Sequence, residues 1–275
     1  MMMLKKTLFA LAALASIWML AFLARTTMHH FTTDRLISTL PYNPDWEIPS
    51  QDSIDSILQQ PFYYYDKGGQ SWVFISQDGS VILKFLDFRL AWRDLFIKMQ
   101  LPSFLIPEIT QRQMRSIKGP IEGYALASKK EFSKECGLIA LFLNGKHSGI
   151  TSLSVESPIH CRHLIDLRKA SFVLQKKADS TLVKTLSTLV QNGKVGKARE
   201  LLEKVLLLVA ARCSHGMIDR DVWRFEQNIG FIGEEPIYLD AGSFSEESCV
   251  CNEESKNKEV ASARALLIKN MRLSF

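Results

Sequence analysis

The sequence predicts an α+β protein in which a strand-rich part precedes a helical part. Short apolar and aromatic runs lie between residues 62 and 85, and a glycine turn and an Asp-Gly turn separate them. This pattern is typical of β-hairpins. Leucine and valine recur at helical spacing over Lys197–Cys213, which predicts a helix with an apolar face. A second hairpin is predicted where Ile229–Ile232 and Ile237–Leu239 flank the turn at Gly233–Pro236.

The composition describes a globular protein with a sizeable core. Of the 275 residues, 47% are hydrophobic and 23% are charged, which excludes a disordered chain. The formal net charge is +5. Because the lysines and arginines are scattered, we expect no nucleic-acid partner. The five cysteines include no Cys-x-x-Cys pair, which favours reduced thiols and a reducing compartment.

The N-terminal segment, residues 1–25, predicts a transmembrane helix. Residues 7–24 carry no charged side chain, and as a helix they would span about 27 Å, close to the thickness of a hydrocarbon core. The competing interpretation is a signal peptide with Ala13–Ala15 as its cleavage site. Cleavage there would leave Trp18 and further apolar residues at the new N-terminus, so we favour an uncut, single-pass anchor. Basic residues flank both ends, so the side of the membrane that the domain faces stays open.

The next segments predict a linker and then a hairpin. Residues 26–61 carry four prolines among polar residues, as linkers do. Lys67–Ser71 is predicted as a turn, and Trp72–Ile75 and Val81–Phe85 as strands. Lys84 stands inside the second strand among apolar neighbours. From the residues alone, an edge strand with an outward lysine explains it most simply.

The middle of the chain predicts one long helix and further strands. An apolar face recurs at helical spacing after residue 123. A serine followed by apolar periodicity and an Asn-Gly pair mark the start and end of a second helix. The predicted elements are a helix at Tyr124–Leu143, strands at Ile150–Val155 and Ser171–Gln175, and a helix from Ser180 to Gln191.

Three oxygen-bearing side chains recur near the second hairpin: Asp221, Asn228 and Asp240. Asn228 precedes its first strand and Asp240 follows its second, which predicts that both side chains lie at one end of the hairpin. Carboxylate and amide oxygens are suitable ligands for Mg²⁺. Taken alone, the same residue types are also ordinary turn formers.

These segments resemble the catalytic loop and the metal-binding triplet of protein kinases. Ile218–Asp221 followed by Asn228 is similar to H-R-D-x-x-x-x-N, and Asp240–Gly242 is similar to D-F-G. The sequence departs from the family pattern in three places. Asp219 replaces the histidine, Ala241 replaces the phenylalanine, and the gap before Asn228 is two residues longer.

Upstream segments resemble the nucleotide-binding parts of the same family in the same order. The turn Gly68, Gly69, Gln70 and Ser71 is similar to an abbreviated glycine-rich loop. The strand ending at Lys84 is similar to the V-A-I-K strand, so the resemblance implies that Lys84 holds phosphates and pairs with a helix glutamate. We choose Glu135 as that partner, with Glu131 as the alternative. The strand before Ala178 resembles the one that leads into the kinase hinge, which implies adenine binding by the backbone at Gln175 and Lys177.

The resemblance implies a bilobal kinase-like fold with a β-rich N-lobe at residues 62–178. A reduced helical C-lobe is expected at residues 179–275, because few residues follow Gly242 and no A-P-E triplet is present. The implied cofactors are ATP and Mg²⁺. Asn228 and Asp240 would bind the metal, and Asp221 would accept a proton from the attacking hydroxyl.

Three functional hypotheses follow. The first is a membrane-anchored kinase-like protein that binds Mg-ATP and transfers phosphate to an unknown acceptor. The second is a catalytically inactive kinase-like scaffold, a pseudokinase, that binds a protein partner at a membrane. The third is a surface or secreted adaptor whose N-terminus is a signal.

Overall fold

The structure is a computed structural model that describes residues 11, 13–20, 23, 31–38, 42–47, 54–88, 106–144 and 149–271. Side chains are described for these residues except 106–117, 270 and 271. The described residues form a mixed α+β protein with one large sheet, two small sheets and several helices. The predicted fold class, α+β, is confirmed.

The predicted anchor at residues 7–24 lies partly outside the described residues. Residues 13–20 are helical, and their large apolar side chains are exposed to solvent. In the part of the chain that the structure describes, no helix has the length and apolarity needed to cross a membrane.

The large sheet has seven strands. They are β1 (Phe62–Lys67), β2 (Ser71–Ser76), β3 (Val81–Leu86), β4 (Leu138–Phe142), β5 (Ser152–Glu156), β6 (Arg162–Asp166) and β7 (Phe172–Lys176). Their spatial order is β4-β7-β3-β2-β1-β5-β6. Neighbouring strands are antiparallel except for β1 and β5, which pair in parallel.

The predicted hairpin of β2 and β3 is confirmed. Side chains of β2 alternate between buried and partly exposed, and Trp72 and Phe74 are fully buried. The turn contains Gly79 at φ +74°, a left-handed conformation that favours glycine. Because β3 lies between β2 and β7, the edge-strand explanation of Lys84 is wrong. A lysine in a central strand needs partners inside the protein.

The segment from residue 31 to residue 38 packs on this sheet. Phe31 and Leu36 are fully buried, and the Phe31 ring contacts the Trp72 ring edge-on with centroids 5.2 Å apart. Ile37 forms an isolated β-bridge with Ala170. We predicted a linker for residues 26–61, but several of its large apolar side chains are buried in the core.

A buried ion cluster fastens the same segment to the sheet. The Asp87 carboxylate, 3% exposed, lies 2.5 Å from Arg35 Nη2 and 2.8 Å from Lys67 Nζ. Burial raises the pKa of Asp87, but hydrogen bonds and charge from the two cations outweigh it and hold this pKa below its ordinary value. The Lys67 ammonium also lies 3.6 Å from the centroid of the Trp72 ring.

The long helix before β4 ends earlier than the sequence predicted. Helix α2 runs from Ile106 to Lys129, following the short helix α1 (Ile54–Leu58). Glu131 and Gly137 adopt left-handed φ values of 57° and 59°, which cannot continue a helix. The apolar run after Gly137 then pairs with β7 as β4. The predicted helix over Tyr124–Leu143 is therefore wrong in its second half, because long-range strand pairing outweighs the local helical spacing.

The C-terminal part is mainly helical and includes two small sheets. Its helices are α3 (Leu182–Gln191), α4 (Val195–Ser214) and α5 (Glu253–Met271), which confirms the two predicted helices in this region. Its strands are β8 (Ser180–Thr181), β9 (Met217–Asp219), β10 (Ile229–Ile232), β11 (Glu235–Tyr238) and β12 (Phe244–Glu246). β10 and β11 form the predicted second hairpin, with Gly233 at φ +59° in its turn.

Helix α2 lies directly against the segment that follows β11. A Cβ atom on Gly123 would collide with the carbonyl oxygen of Ala241 and would stand 2.8 Å from the carbonyl carbon of Gly242. A Cβ on Gly242 would lie 3.2 Å from Pro120. These glycines therefore allow the backbones of the helix and of Asp240–Gly242 to touch.

This contact predicts the effect of adding one methyl group. Gly123→Ala should lower the free energy of unfolding by about 1–3 kcal/mol, because helix and loop must separate to admit it. Gly196→Ala in helix α4 is the matched control, since a Cβ there meets open space. The control should stabilise slightly, as alanine usually does in a helix. Chemical denaturation measures both, and equal effects would contradict the close contact.

Candidate functional site

A cleft of about 560 Å³ lies between the turn after β1 and the loops around β9 and β11. It brings together residues that are far apart in the sequence. From the predicted set it is lined by Gly68, Gly69, Gln70, Ser71, Asp221 and Asp240. The remaining lining residues are Leu86, Gly119, Pro120, Tyr124, Arg220, Arg224, Gly242 and Ser243. The glycine turn, the Asp221 loop and Asp240 thus face one space.

Lys84 itself does not line the cleft, and its contacts are with other groups of the protein. Its ammonium donates to the backbone carbonyl of Leu239 and lies 3.3 Å from the Tyr124 hydroxyl. That hydroxyl in turn donates to Asp240 Oδ1 at 3.0 Å. Tyr124 therefore lies between Lys84, which the resemblance assigned to phosphate, and Asp240, which it assigned to the metal. We call Lys84, Tyr124 and Asp240 the lysine–tyrosine–aspartate chain.

The electrostatics of this chain follow from the desolvation of Lys84 and Tyr124 and from the charge of Asp240. Desolvation lowers the pKa of Lys84, and the nearby Asp240 carboxylate offsets part of that effect. Burial and the same carboxylate raise the pKa of Tyr124 well above its ordinary value. Tyr124 therefore stays protonated at neutral pH and remains a hydrogen-bond donor to Asp240.

Glu135 does not occupy the place that the resemblance implied. It lies in the turn region between helix α2 and β4, and its backbone carbonyl accepts from Tyr238 N at 2.8 Å. The described residues contain no ion pair between Glu135 and Lys84, and its Oε2 is buried without a partner. Glu131, the alternative, is an exposed residue of the same turn. The side chain that α2 presents to Lys84 is Tyr124.

The predicted adenine contacts at Gln175–Lys177 lie outside the cleft lining. Gln175 is 2% exposed, and its Nε2 donates to the carbonyls of Cys136 at 2.6 Å and Tyr238 at 2.9 Å. The Lys176 N–H donates to Gly137 O and the Lys177 N–H donates to Ser80 O. These backbone donors are thus already used within the protein.

Asn228 is not among the residues that line the cleft, although it lies at the same end of the hairpin as Asp240. Its backbone carbonyl accepts from Leu239 N at 2.7 Å. Asp240 Oδ1 already accepts from Tyr124 and from Gly242 N at 2.9 Å. Within the described ranges, no cluster of three or more His, Cys, Asp or Glu side chains could hold a metal ion.

Asp219, which replaces the histidine of the motif, organises the loop that carries Asp221. It is 4% exposed, and its Oδ1 accepts from Asp221 N at 2.9 Å and from Ser243 Oγ at 2.6 Å. Its other oxygen lies 4.0 Å from Arg212 Nη1. One buried carboxylate thus connects the loop before Asp221 with the segment after Gly242.

Three residues that shape the site were not among the predicted site residues: Tyr124, Arg220 and Arg224. The signal for Tyr124 was present, because a glycine inside a helix often marks a close backbone approach, and Gly123 precedes it. Arg220 and Arg224 belong to the loop between β9 and β10, where the sequence does not predict which side chains face the cleft.

No protein-family model matches this chain, and no curated protein matches it significantly. A solved structure to which it is similar is "ROP2 from Toxoplasma gondii", described as a virulence factor with a protein-kinase fold and no enzymatic activity. The identity is 14%, the TM-score is 0.33, and the match covers 66% of this chain and 49% of that one. The chain thus spans about half of that structure, and a similarity at this level carries no functional inference.

The bonds of Asp219 predict a structural role for its carboxylate. Asp219→Ala should lower the free energy of unfolding by about 2–4 kcal/mol, because two hydrogen bonds to a charged acceptor are lost. Asp221→Ala, two residues later, is the control, since no hydrogen bond to its carboxylate occurs among the described residues. The control should change stability by only about 0.5 kcal/mol. A larger loss for Asp221 than for Asp219 in urea titrations would contradict this arrangement.

Proposed function

We propose that this chain is a kinase-like protein that acts by binding and does not transfer phosphate. Support comes from the order of its parts. The chain has the parts of a kinase site in the order that the family has them: a glycine turn, a strand lysine, a helix, the Asp221 loop and a hairpin that ends at Asp240. The turn, the loop and Asp240 face one cleft. The geometry within that cleft argues against catalysis.

The observation that carries this proposal is the lysine–tyrosine–aspartate chain. Phosphoryl transfer in kinases needs a lysine held at the phosphates by a helix glutamate and an aspartate held on Mg²⁺. Here the Lys84 ammonium is bonded to Leu239 O and Tyr124, and Tyr124 is bonded to Asp240. The Lys84 ammonium and the Asp240 carboxylate thus both have partners within the protein.

The positions expected for adenine and metal support the same proposal. The Lys176 and Lys177 N–H groups already donate within the protein, so they are not available to adenine. Asn228 does not line the cleft with Asp240. The expected cofactors, ATP and Mg²⁺, would therefore both require a rearranged site.

The second candidate is a phosphotransferase that uses Mg-ATP. One observation favours it: Asp221, the predicted proton acceptor, lines the same cleft as Asp240 and the glycine turn. In this candidate Tyr124 would have to leave Lys84 and Asp240 when nucleotide binds. Autophosphorylation or ATP hydrolysis above background by the wild type would favour this candidate. If it holds, Asp221→Asn should lower turnover by about 10²-fold or more.

The binding proposal assigns Lys84 a structural role, which predicts the result of removing it. Lys84→Ala should lower the stability of the ligand-free protein by about 1–3 kcal/mol, because the Leu239 carbonyl loses its donor inside the protein. Lys176→Ala is the control, since this exposed lysine lies on the neighbouring strand β7. Thermal melting without nucleotide measures both.

The two candidates differ in what Lys84→Ala should do. If Lys84 is a nucleotide ligand, Lys84→Ala should change the melting temperature of the free protein only slightly. The substitution should then abolish the increase in melting temperature that Mg-ATP causes. That pattern would overturn the structural role. Tyr124→Phe separates the cases further, because it removes the hydroxyl between Lys84 and Asp240 and keeps the ring.

We further propose that residues 7–24 anchor the protein in a membrane, because their uncharged sequence suits a hydrocarbon core. The intact chain should then remain in the membrane pellet through carbonate and high-salt washes, whereas a chain beginning at His30, which keeps the buried Phe31 and Leu36, should be soluble. Release of the intact chain by salt alone would contradict the anchor. Protease accessibility would show which side the domain faces.

A further inference from the structure

The buried residue Phe31 fixes where the chain enters the folded domain. Phe31 is 0% exposed, and the centroid of its ring lies 5.7 Å from that of Phe74 and 5.5 Å from that of His163. His163 belongs to β6, the outermost strand of the large sheet. The chain therefore reaches the domain beside the β6 edge of this sheet.

Few residues separate this entry point from the proposed membrane anchor. The anchor that we propose is residues 7–24, and Phe31 follows Ala24 by seven residues. A fully extended chain covers at most about 25 Å over seven residues. Because Phe31 is held in the core, this length also limits how far the β6 edge can move from the membrane surface.

The surface at the β6 edge exposes apolar side chains. Leu164, on β6, is 72% exposed, and Ile37 is 41% exposed. Both line a groove of about 180 Å³, whose other apolar lining residues are Leu36, Ile165 and Ala170. Exposed apolar side chains that cluster in this way mark an interaction surface. We call Leu164, Ile37 and this groove the edge patch.

The charges around the edge patch largely cancel. Arg162 and Lys169 are exposed on either side of it. The Asp166 carboxylate lies 3.6 Å from the Lys169 ammonium and 2.9 Å from Arg168 Nε. Glu156 stands opposite Arg162 in the pairing of β5 with β6. A surface with balanced charges is not strongly attracted to anionic lipids, so the contacts of the edge patch depend on its apolar side chains.

The backbone of β6 limits how deeply the edge patch can enter a bilayer. Among the described strands, β6 pairs only with β5, so one row of its N–H and C=O groups faces away from the sheet. Backbone groups without partners are too costly to place in hydrocarbon. The strand therefore stays at the level of the lipid headgroups, where water is present, and only its side chains extend toward the acyl chains.

We propose that the edge patch contacts the membrane surface, with the Leu164 and Ile37 side chains inserted between lipid headgroups. This inference rests on the proposed anchor and adds the surface by which the domain meets the lipid. Removal of the two side chains from water favours the contact. The anchor keeps lipid at a high local concentration beside the patch, so a small apolar area is sufficient.

An environment-sensitive fluorophore at position 164 tests this contact. The full chain with Leu164→Cys is labelled and reconstituted in phosphatidylcholine vesicles, after serine replaces the exposed thiols Cys161, Cys249 and Cys251. Its emission should shift to shorter wavelength, and lipids that carry a nitroxide should quench it. The control is Leu207→Cys on helix α4, where the native side chain is 68% exposed. A label there should report water and should not be quenched.

A charge placed in the edge patch should remove the contact. With the fluorophore at Ile37→Cys, Leu164→Glu should abolish the spectral shift, because a carboxylate stays in water. Leu207→Glu adds the same charge elsewhere and should leave the shift unchanged. Phosphatidylserine in the vesicles should alter the shift little, because the contact depends on apolar side chains. Thermal melting confirms that each variant is folded.

Several outcomes would overturn the edge patch. A label at position 164 that reports water, in an intact chain that resists carbonate, would exclude the contact and leave the anchor standing. Equal shifts at positions 164 and 207 would show unspecific adsorption. Cross-linking of two Leu164→Cys chains by a short bis-maleimide, in place of the lipid signal, would assign β6 to pairing between two copies. Release of the intact chain by salt would overturn the anchor itself, so the two failures are distinguishable.

Discussion

The contact between helix α2 and Asp240–Gly242 determines the rest of the site. It exists because Gly123 has no side chain where the carbonyl of Ala241 and the backbone of Gly242 pass. The next residue along the helix, Tyr124, is then directed at Asp240 and reaches Lys84 as well. A larger residue at position 123 would push the helix outward and would separate all three members of the lysine–tyrosine–aspartate chain.

The same contact explains why a partly buried lysine is tolerated in a central strand. Burying an ammonium group is costly unless hydrogen bonds compensate for the lost water. Leu239 O and the Tyr124 hydroxyl supply acceptors, and Asp240 supplies a nearby negative charge. Lys84 thereby connects strand β3 to helix α2 and to the end of β11. In this arrangement the residues that resemble a kinase's phosphate lysine and metal aspartate hold elements of the fold together.

Local sequence patterns predicted most of the helices and hairpins. The errors arose where strand pairing between distant segments outweighed the local pattern. The hairpins and helix α4 depend on alternation, turns and helical spacing, which a sequence shows directly. Glu135 was placed on a helix because the spacing continues past Lys129. The chain leaves the helix there because Leu138–Phe142 pairs with a strand some thirty residues later, β7. The sequence could not show that Tyr124 would take the place of a glutamate, since only the packing at Gly123 brings it there.

The longer loop before Asn228 has a physical role of its own. The short 3-10 helix Val222–Arg224 lies within this gap and turns the Arg224 guanidinium toward Gly69, on the opposite wall of the cleft. Asp219 holds the start of the loop through Asp221 N, so the loop is anchored where it leaves β9. The departures from the kinase pattern are therefore connected: a buried carboxylate fixes the loop, and the longer loop carries a cation across the cleft. Together they place positive charge at the glycine turn while Lys84 is held elsewhere.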